Sequence, residues 1–167
     1  MSDEDRAPAA SWRGISESAE QTRELAAALA SAARPGDRLA LVGPLGAGKT
    51  QFAKGFATGL DIPEVVNSPS FTLMAEYDGR LRLFHQDLYR LRGTAEALAG
   101  GLLDERQDMG VTLSEWADRL DGSLDPERLT VAIHPVGDDR RVIELRGSGE
   151  VAERYRAAAR AWDGRRT

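Results

Sequence analysis

Residues 43–50 read GPLGAGKT, three glycines spread along a loop that closes with Lys49 and Thr50. Directly before them, Arg38-Leu-Ala-Leu-Val42 is a short apolar run bounded by Arg34-Pro-Gly-Asp37 on one side and Gly43 on the other, the pattern of a buried strand. Directly after them, Phe52, Ala53, Phe56 and Ala57 recur on one side of a helix expected from Gly48 to about Leu60. Strand, glycine loop and helix in that order turn GxxxxGK[ST] from a glycine-rich turn into a phosphate-binding P-loop. Gly43, Gly46 and Gly48 let the backbone bend so that N–H groups face phosphate oxygens, and the helix N-terminus adds the positive end of its dipole. Lys49 then reaches the β and γ phosphates, and Thr50 offers its hydroxyl to Mg2+. Pro44, Leu45, Ala47 and Gln51 complete the stretch expected to line a nucleoside triphosphate.

The lysine is itself informative. All but two of the 22 basic residues are arginine, the exceptions being Lys49 and Lys54. Where any cation would serve, this chain writes arginine, so Lys49 needs a geometric reason. A compact ammonium on a flexible stem enters a cage of amides around phosphates, which a planar guanidinium does badly.

Composition narrows the remaining possibilities. With 167 residues, 41% of them hydrophobic, the chain can bury one sizeable core, and a single domain over 11–160 is expected between loose ends at 1–10 and 161–167. Acidic residues outnumber basic ones 27 to 22, so the surface as a whole repels a nucleic-acid backbone, and contact with RNA is expected locally or through a partner. The lack of cysteine excludes disulfides, thiolate metal sites and thiol catalysis. An acidic start, MSDEDRAPAASW, without an apolar run of signal or membrane-span length leads to the expectation of a cytoplasmic protein with no membrane contact.

The remaining pattern is α/β. Ser18 is placed to cap a helix carrying Leu25, Ala28, Leu29 and Ala32 at helical spacing. Phe71–Tyr77 and Arg80–His85, separated by Asp78-Gly79, read as a hairpin whose Asp-Gly suits a left-handed tight turn. A helix is expected at 94–99, strands at 111–116, 129–133 and 141–145, and a last helix from Gly149 to Ala161. The architecture expected is a three-layer P-loop NTPase fold with a mostly parallel central sheet and an antiparallel hairpin at 71–85. A P-loop site also needs a carboxylate serving Mg2+ and, for hydrolysis, a group to orient water. Asp87 and Glu115 each stand at the end of an expected strand, and their residue types do not rank them. Ser68, Ser70 and Thr72 follow a turn-rich stretch where a nucleotide-sensing switch loop would lie.

Several segments together resemble one family. Gly43–Thr50 with Phe52 and Lys54-Gly-Phe56, then Val66-Asn-Ser-Pro-Ser-Phe-Thr-Leu73, then Phe84-His-Gln-Asp-Leu-Tyr-Arg-Leu91, then Leu113-Ser-Glu-Trp116 are similar to the motifs of the TsaE (YjeE) family of bacterial P-loop ATPases, in that family's order and spacing. The resemblance spans about Ser18 to Arg146 and implies ATP binding and slow hydrolysis in the making of threonylcarbamoyladenosine at position 37 of tRNAs reading codons that begin with A. It also implies action with the proteins TsaD and TsaB, tRNA being met through that complex. Carried over by motif, Lys49 holds phosphate, Thr50 and Glu115 serve Mg2+, and Asp87 supports hydrolysis. The segment containing Ser68, Ser70 and Thr72 matches the switch-like loop, Trp116 the tryptophan after the metal acid, and Thr22 and Arg141 positions that flank the adenine. Without the family, His85 reads as a satisfied structural histidine. Ser114 makes the metal strand more polar than is usual in the family. Two rival readings predict different chemistry: a small-molecule kinase transfers phosphate to a metabolite, and a nucleotide-gated binding module has no hydrolysis to lose.

Overall fold

The computed structural model describes residues 10–44, 46–64, 66, 74–87, 105–115 and 128–166. Within them lie seven strands, β1 (Ala10–Ser16), β2 (Arg38–Val42), β3 (Met74–Tyr77), β4 (Leu83–Asp87), β5 (Val111–Glu115), β6 (Leu129–Pro135) and β7 (Arg141–Arg146). Three α-helices accompany them, α1 (Ala19–Ala30), α2 (Lys49–Gly59) and α3 (Gly149–Arg165), with a 3-10 turn at Glu105–Met109. No helix among the described residues is long and apolar enough to cross a membrane.

All seven strands join one sheet in the order β1-β7-β6-β2-β5-β4-β3. The centre, β6-β2-β5-β4, is parallel, whereas β1-β7, β7-β6 and β4-β3 are antiparallel. The expected mostly parallel sheet is therefore corrected to a mixed one, parallel at its centre and antiparallel at both edges. The reason is connection length: β6 and β7 are joined by the short stretch 136–140, which can only reverse the chain, whereas parallel neighbours need a crossover of a dozen residues or more.

One face of the sheet carries the core. Leu39 and Leu41 of β2, Val111 and Leu113 of β5, Val131 and Ile133 of β6 and Ile143 and Leu145 of β7 pack with Leu25 and Leu29 of α1, Phe52 and Phe56 of α2 and Tyr155 of α3 in one buried cluster. Period-two alternation along the strands and 3.6-residue spacing along the helices put these residues on facing surfaces. The described α-helices thus form one layer on one sheet face. The helix expected at 94–99 lies outside the described residues, and with it the test of a third layer.

Several local expectations need refinement. Ser18 is the N-cap of α1, its hydroxyl accepting from the Gln21 N–H at 3.1 Å. The hairpin strands are described at 74–77 and 83–87, with Tyr77 opposite Leu83, so the connection runs from 78 to 82 rather than turning tightly at Asp78-Gly79. Gly79 is not in a left-handed conformation; a Cβ there would lie 2.3 Å from the Leu60 carbonyl oxygen, so close approach, not turn geometry, requires glycine. Arg80 anchors this loop, its guanidinium donating to the Ala30 carbonyl at 2.8 Å and its N–H to that of Leu60 at 2.6 Å.

At the ends of the chain, β1 covers 10–16, a strand that the sequence pattern left unread, and the expected loose tail at 161–167 is instead helical through Arg165. Trp162, 4% exposed, meets Trp12 edge to face with centroids 6.3 Å apart, and Arg166 lies 4.2 Å over the Trp162 ring. Trp162 continues the helical spacing of Ala152, Tyr155 and Ala159, and its pairing with Trp12 buries β1 against the end of α3.

Candidate functional site

The P-loop follows β2 at the carboxyl ends of the parallel strands, where open α/β sheets bind ligands. Gly46 and Gly48 have φ of 79° and 110°, and a Cβ on Gly43 would meet the Ile133 carbonyl oxygen at 2.6 Å. These three positions accept no side chain without strain or displacement. Gly48 is the N-cap of α2, so the first turn of that helix opens onto the loop, and Lys49, 6% exposed, donates from Nζ to the Gly43 carbonyl at 2.8 Å. Thr50 is the second residue of α2, and Gln51 accepts at Oε1 from Arg23 at 2.6 Å, tying the loop's helix to α1. Pro44 and Gly46 are exposed and Ala47 is buried. Leu45 lies outside the described residues.

The two candidate acids are brought together. Glu115 ends β5, the strand beside β2, and pairs in register with Leu41 on one side and Asp87 on the other. Register partners in a parallel pair point to the same face, so Glu115 and Asp87 share a face and stand beside the strand that feeds the P-loop. Glu115 is 4% exposed, and its Oε2 lies 2.8 Å from Nε2 of His85, which is fully buried. Asp87 is half-buried two residues beyond His85 on the same strand. Ser114, despite its polarity, is buried on the opposite face, donating to Gln86 Oε1 at 2.9 Å.

Arg141 and Thr22 converge on the same region. Arg141 opens β7 opposite Ser16, and Ser16 Oγ lies 2.7 Å from Thr22 Oγ1. The Arg141 guanidinium donates from Nε to the Ala47 carbonyl at 2.7 Å and from Nη2 to that of Gly46 at 3.5 Å. Nη1 reaches the carbonyls of Gly137, Asp138 and Arg140. Arg141 thus ties the turn between β6 and β7 to the outward carbonyls of the P-loop. Ser68, Ser70, Thr72 and Trp116 lie outside the described residues.

Sequence reasoning missed two contributors. Ser16 lies on the unread strand β1. His85 was legible in principle: in a strand, residues i and i+2 share a face, so His85 accompanies Asp87.

The donor set suits Mg2+, which takes hard oxygen ligands and keeps several from water and phosphate. Thr50 offers a hydroxyl, and Glu115 a carboxylate screened from solvent whose partner among the described residues is an imidazole rather than a lysine or arginine. No group of three or more His, Cys, Asp or Glu side chains among the described residues could hold a metal ion.

Glycine loop, buried lysine, helix N-terminus and a carboxylate on the adjacent parallel strand define an α/β protein of the P-loop nucleotide-binding class. Comparison with known proteins narrows this further: the family model described as "Threonylcarbamoyl adenosine biosynthesis protein TsaE" matches residues 16–143, and the chain belongs to that family. It is 46% identical over 139 residues to the tRNA threonylcarbamoyladenosine biosynthesis protein TsaE of Bacillus subtilis (strain 168), covering 83% of this chain and 85% of that one. It is 37% identical over 133 residues to the protein of the same name from Treponema pallidum (strain Nichols), covering 80% and 98%. The crystal structure of Bacillus subtilis YdiB superposes with a TM-score of 0.70 at 37% identity, covering 93% of this chain and 96% of that one.

Proposed function

We propose that the chain is the ATP-binding and ATP-hydrolysing component of the machinery that forms threonylcarbamoyladenosine at position 37 of tRNAs reading codons that begin with A. The observation that carries the chemistry is the in-register placement of Leu41, Glu115 and Asp87 beside the P-loop. Two related proteins of similar length carry the biosynthetic name, which supports the pathway.

In this reading the amides around Gly46, Gly48 and Lys49 bind the phosphates. The Lys49 ammonium, parked on the Gly43 carbonyl, transfers its contact to the β and γ phosphates. Mg2+, held by Thr50 and Glu115 with the phosphates, would neutralise charge developing on them. Asp87, beside Glu115 and more exposed to water, orients or deprotonates the attacking water. Thr22 and Arg141 border the nucleotide. Ser68, Ser70, Thr72 and Trp116 are proposed, on the family resemblance, as the switch-like loop and its support. The partners are TsaD and TsaB, with tRNA met through them in the cytoplasm.

The test is reconstitution. Purified TsaD and TsaB with tRNA and threonylcarbamoyl donor should form modified tRNA over many turnovers when this chain and ATP are present. Equal turnover without the chain rejects the proposal. Phosphate appearing on a metabolite rather than in solution would favour a kinase instead.

A further inference from the structure

Glu115 reaches the site through one neighbour whose presence is costly. His85 is fully buried, its Nε2 lies 2.8 Å from Glu115 Oε2, and its Nδ1 has no hydrogen-bond partner among the described residues. An imidazole with one ring nitrogen buried and unpaired is disfavoured relative to an apolar side chain of similar volume. The strands do not need it for cohesion, because β4 and β5 already pair over five residues and Leu83, Val111 and Leu113 pack in the core on the same face. The one thing an apolar replacement could not do is donate to the carboxylate.

We propose that His85 is a positioning residue for the divalent cation: by donating Nε2–H to Oε2 it fixes the Glu115 carboxylate so that Oε1 is presented to the metal that accompanies the nucleotide. Three features of the site support this role. The bond requires the proton on Nε2, because a carboxylate oxygen can only accept. Alternation along β4 puts His85 and Asp87 on one face, so the histidine supports the metal carboxylate from beneath while Asp87 stays at the rim. An imidazole N–H orients Glu115 without the fixed positive charge that a lysine or arginine at this position would bring. The inference rests on the ATP and Mg2+ reading above and adds a residue that the reading does not use.

The experiment measures Mn2+ uptake by the full chain in the presence of ADP, by electron paramagnetic resonance, for wild type, His85→Leu and His85→Gln. Metal-free ADP affinity and thermal midpoint are measured on the same samples. The amide nitrogen of glutamine can stand in for Nε2. His85→Leu should weaken Mn2+ binding by about 10–100-fold, the cost of losing a partner that orients a metal ligand. Metal-free ADP affinity should be unchanged, and His85→Gln should recover most of the loss. Equal Mn2+ affinity in His85→Leu and wild type overturns the proposal whatever happens to the midpoint, as does a His85→Gln no better than His85→Leu. A readout without substitution uses the fact that the chain has only two histidines. The Nε2–H proton resonance of His85 should move when Mg2+ joins the ADP-bound chain, while exposed His134 stays in place; a stationary His85 signal overturns the proposal. Absence of Mn2+ uptake by wild type with ADP would overturn the nucleotide reading itself and this proposal with it.

Discussion

Replacing Asp37 by alanine should unfold the base of the sheet well before it affects any nucleotide contact. Asp37, 5% exposed, immediately precedes β2 and accepts four hydrogen bonds. Two come from the Arg154 guanidinium at 2.8 and 2.7 Å, one from the Tyr155 hydroxyl at 2.7 Å and one from the Arg34 N–H at 2.9 Å. They join α3 to the entry of the strand that feeds the P-loop. Removing one member of a buried ion pair costs about 3–5 kcal/mol. Arg154 keeps Glu150 and the Ala32 carbonyl, which pulls the cost toward the lower end, while the buried Tyr155 hydroxyl left without its acceptor pulls it up. We expect about 3–4 kcal/mol, or a midpoint lowered by roughly 6–16 °C for a chain of this size. Burial raises the Asp37 carboxyl, but the Arg154, Tyr155 and Arg34 donors outweigh it and hold the group below its ordinary value of 3.8. A carboxyl whose folded value is depressed contributes stability above its unfolded value and loses it as pH falls through the folded one. The gap between wild type and Asp37→Ala should therefore be full at pH 7 and shrink as the pH drops below about 4. Urea unfolding followed by circular dichroism at several pH values measures it. A difference below about 1 kcal/mol at pH 7, the worth of an ordinary exposed pair, would refute the reasoning.

Three further outcomes follow from the geometry. Gly55→Ala places a Cβ 2.2 Å from the Arg23 carbonyl oxygen, so overpacking of about 1–3 kcal/mol should exceed the roughly 1 kcal/mol gained in helix propensity; an unchanged or raised urea midpoint would show that α1 and α2 can separate freely. Arg141→Ala, which frees the Ala47 and Gly46 carbonyls, should weaken ATP and inorganic tripolyphosphate alike, by about tenfold in calorimetric titrations. A loss confined to ATP would put Arg141 on the base instead. Asp87→Ala should leave ATP affinity intact and slow hydrolysis by about 10²–10⁴-fold, as loss of a general base does, so an unchanged rate of phosphate release would reject its assignment.

Local chemistry made much of the site legible. A P-loop is contiguous, its glycines and lysine answer to one ligand at fixed spacing, and the flanking strand and helix announce themselves by period, so β2, the loop and α2 could be read within a residue or two. The Ser18 cap was legible for the same reason, since a side chain answering its own helix's N–H groups needs no distant partner.

Properties shared between distant segments were not legible. Residue type and strand pattern marked Asp87 and Glu115 as two strand-end acids of equal standing, and it was the family resemblance that gave Glu115 the metal and Asp87 the water. Only the register of β2, β5 and β4 put Glu115 next to the P-loop strand and Asp87 one strand further out. β1 and the last turn of α3 were hidden because Trp12 and Trp162 bury each other across segments remote in sequence, although Trp162 continues the helical spacing of Ala152, Tyr155 and Ala159. The antiparallel edges, the close approach at Gly79 and the His85–Glu115 bond likewise arise where chain remote in sequence meets in space. By itself, then, the sequence determined that a phosphate-binding loop lies between a buried strand and a helix. The placement of the two acids around it, Glu115 on the strand beside β2 and half-buried Asp87 one strand further out, was decided by strand pairing, because backbone hydrogen bonding and side-chain packing between elements select a register that no single segment encodes.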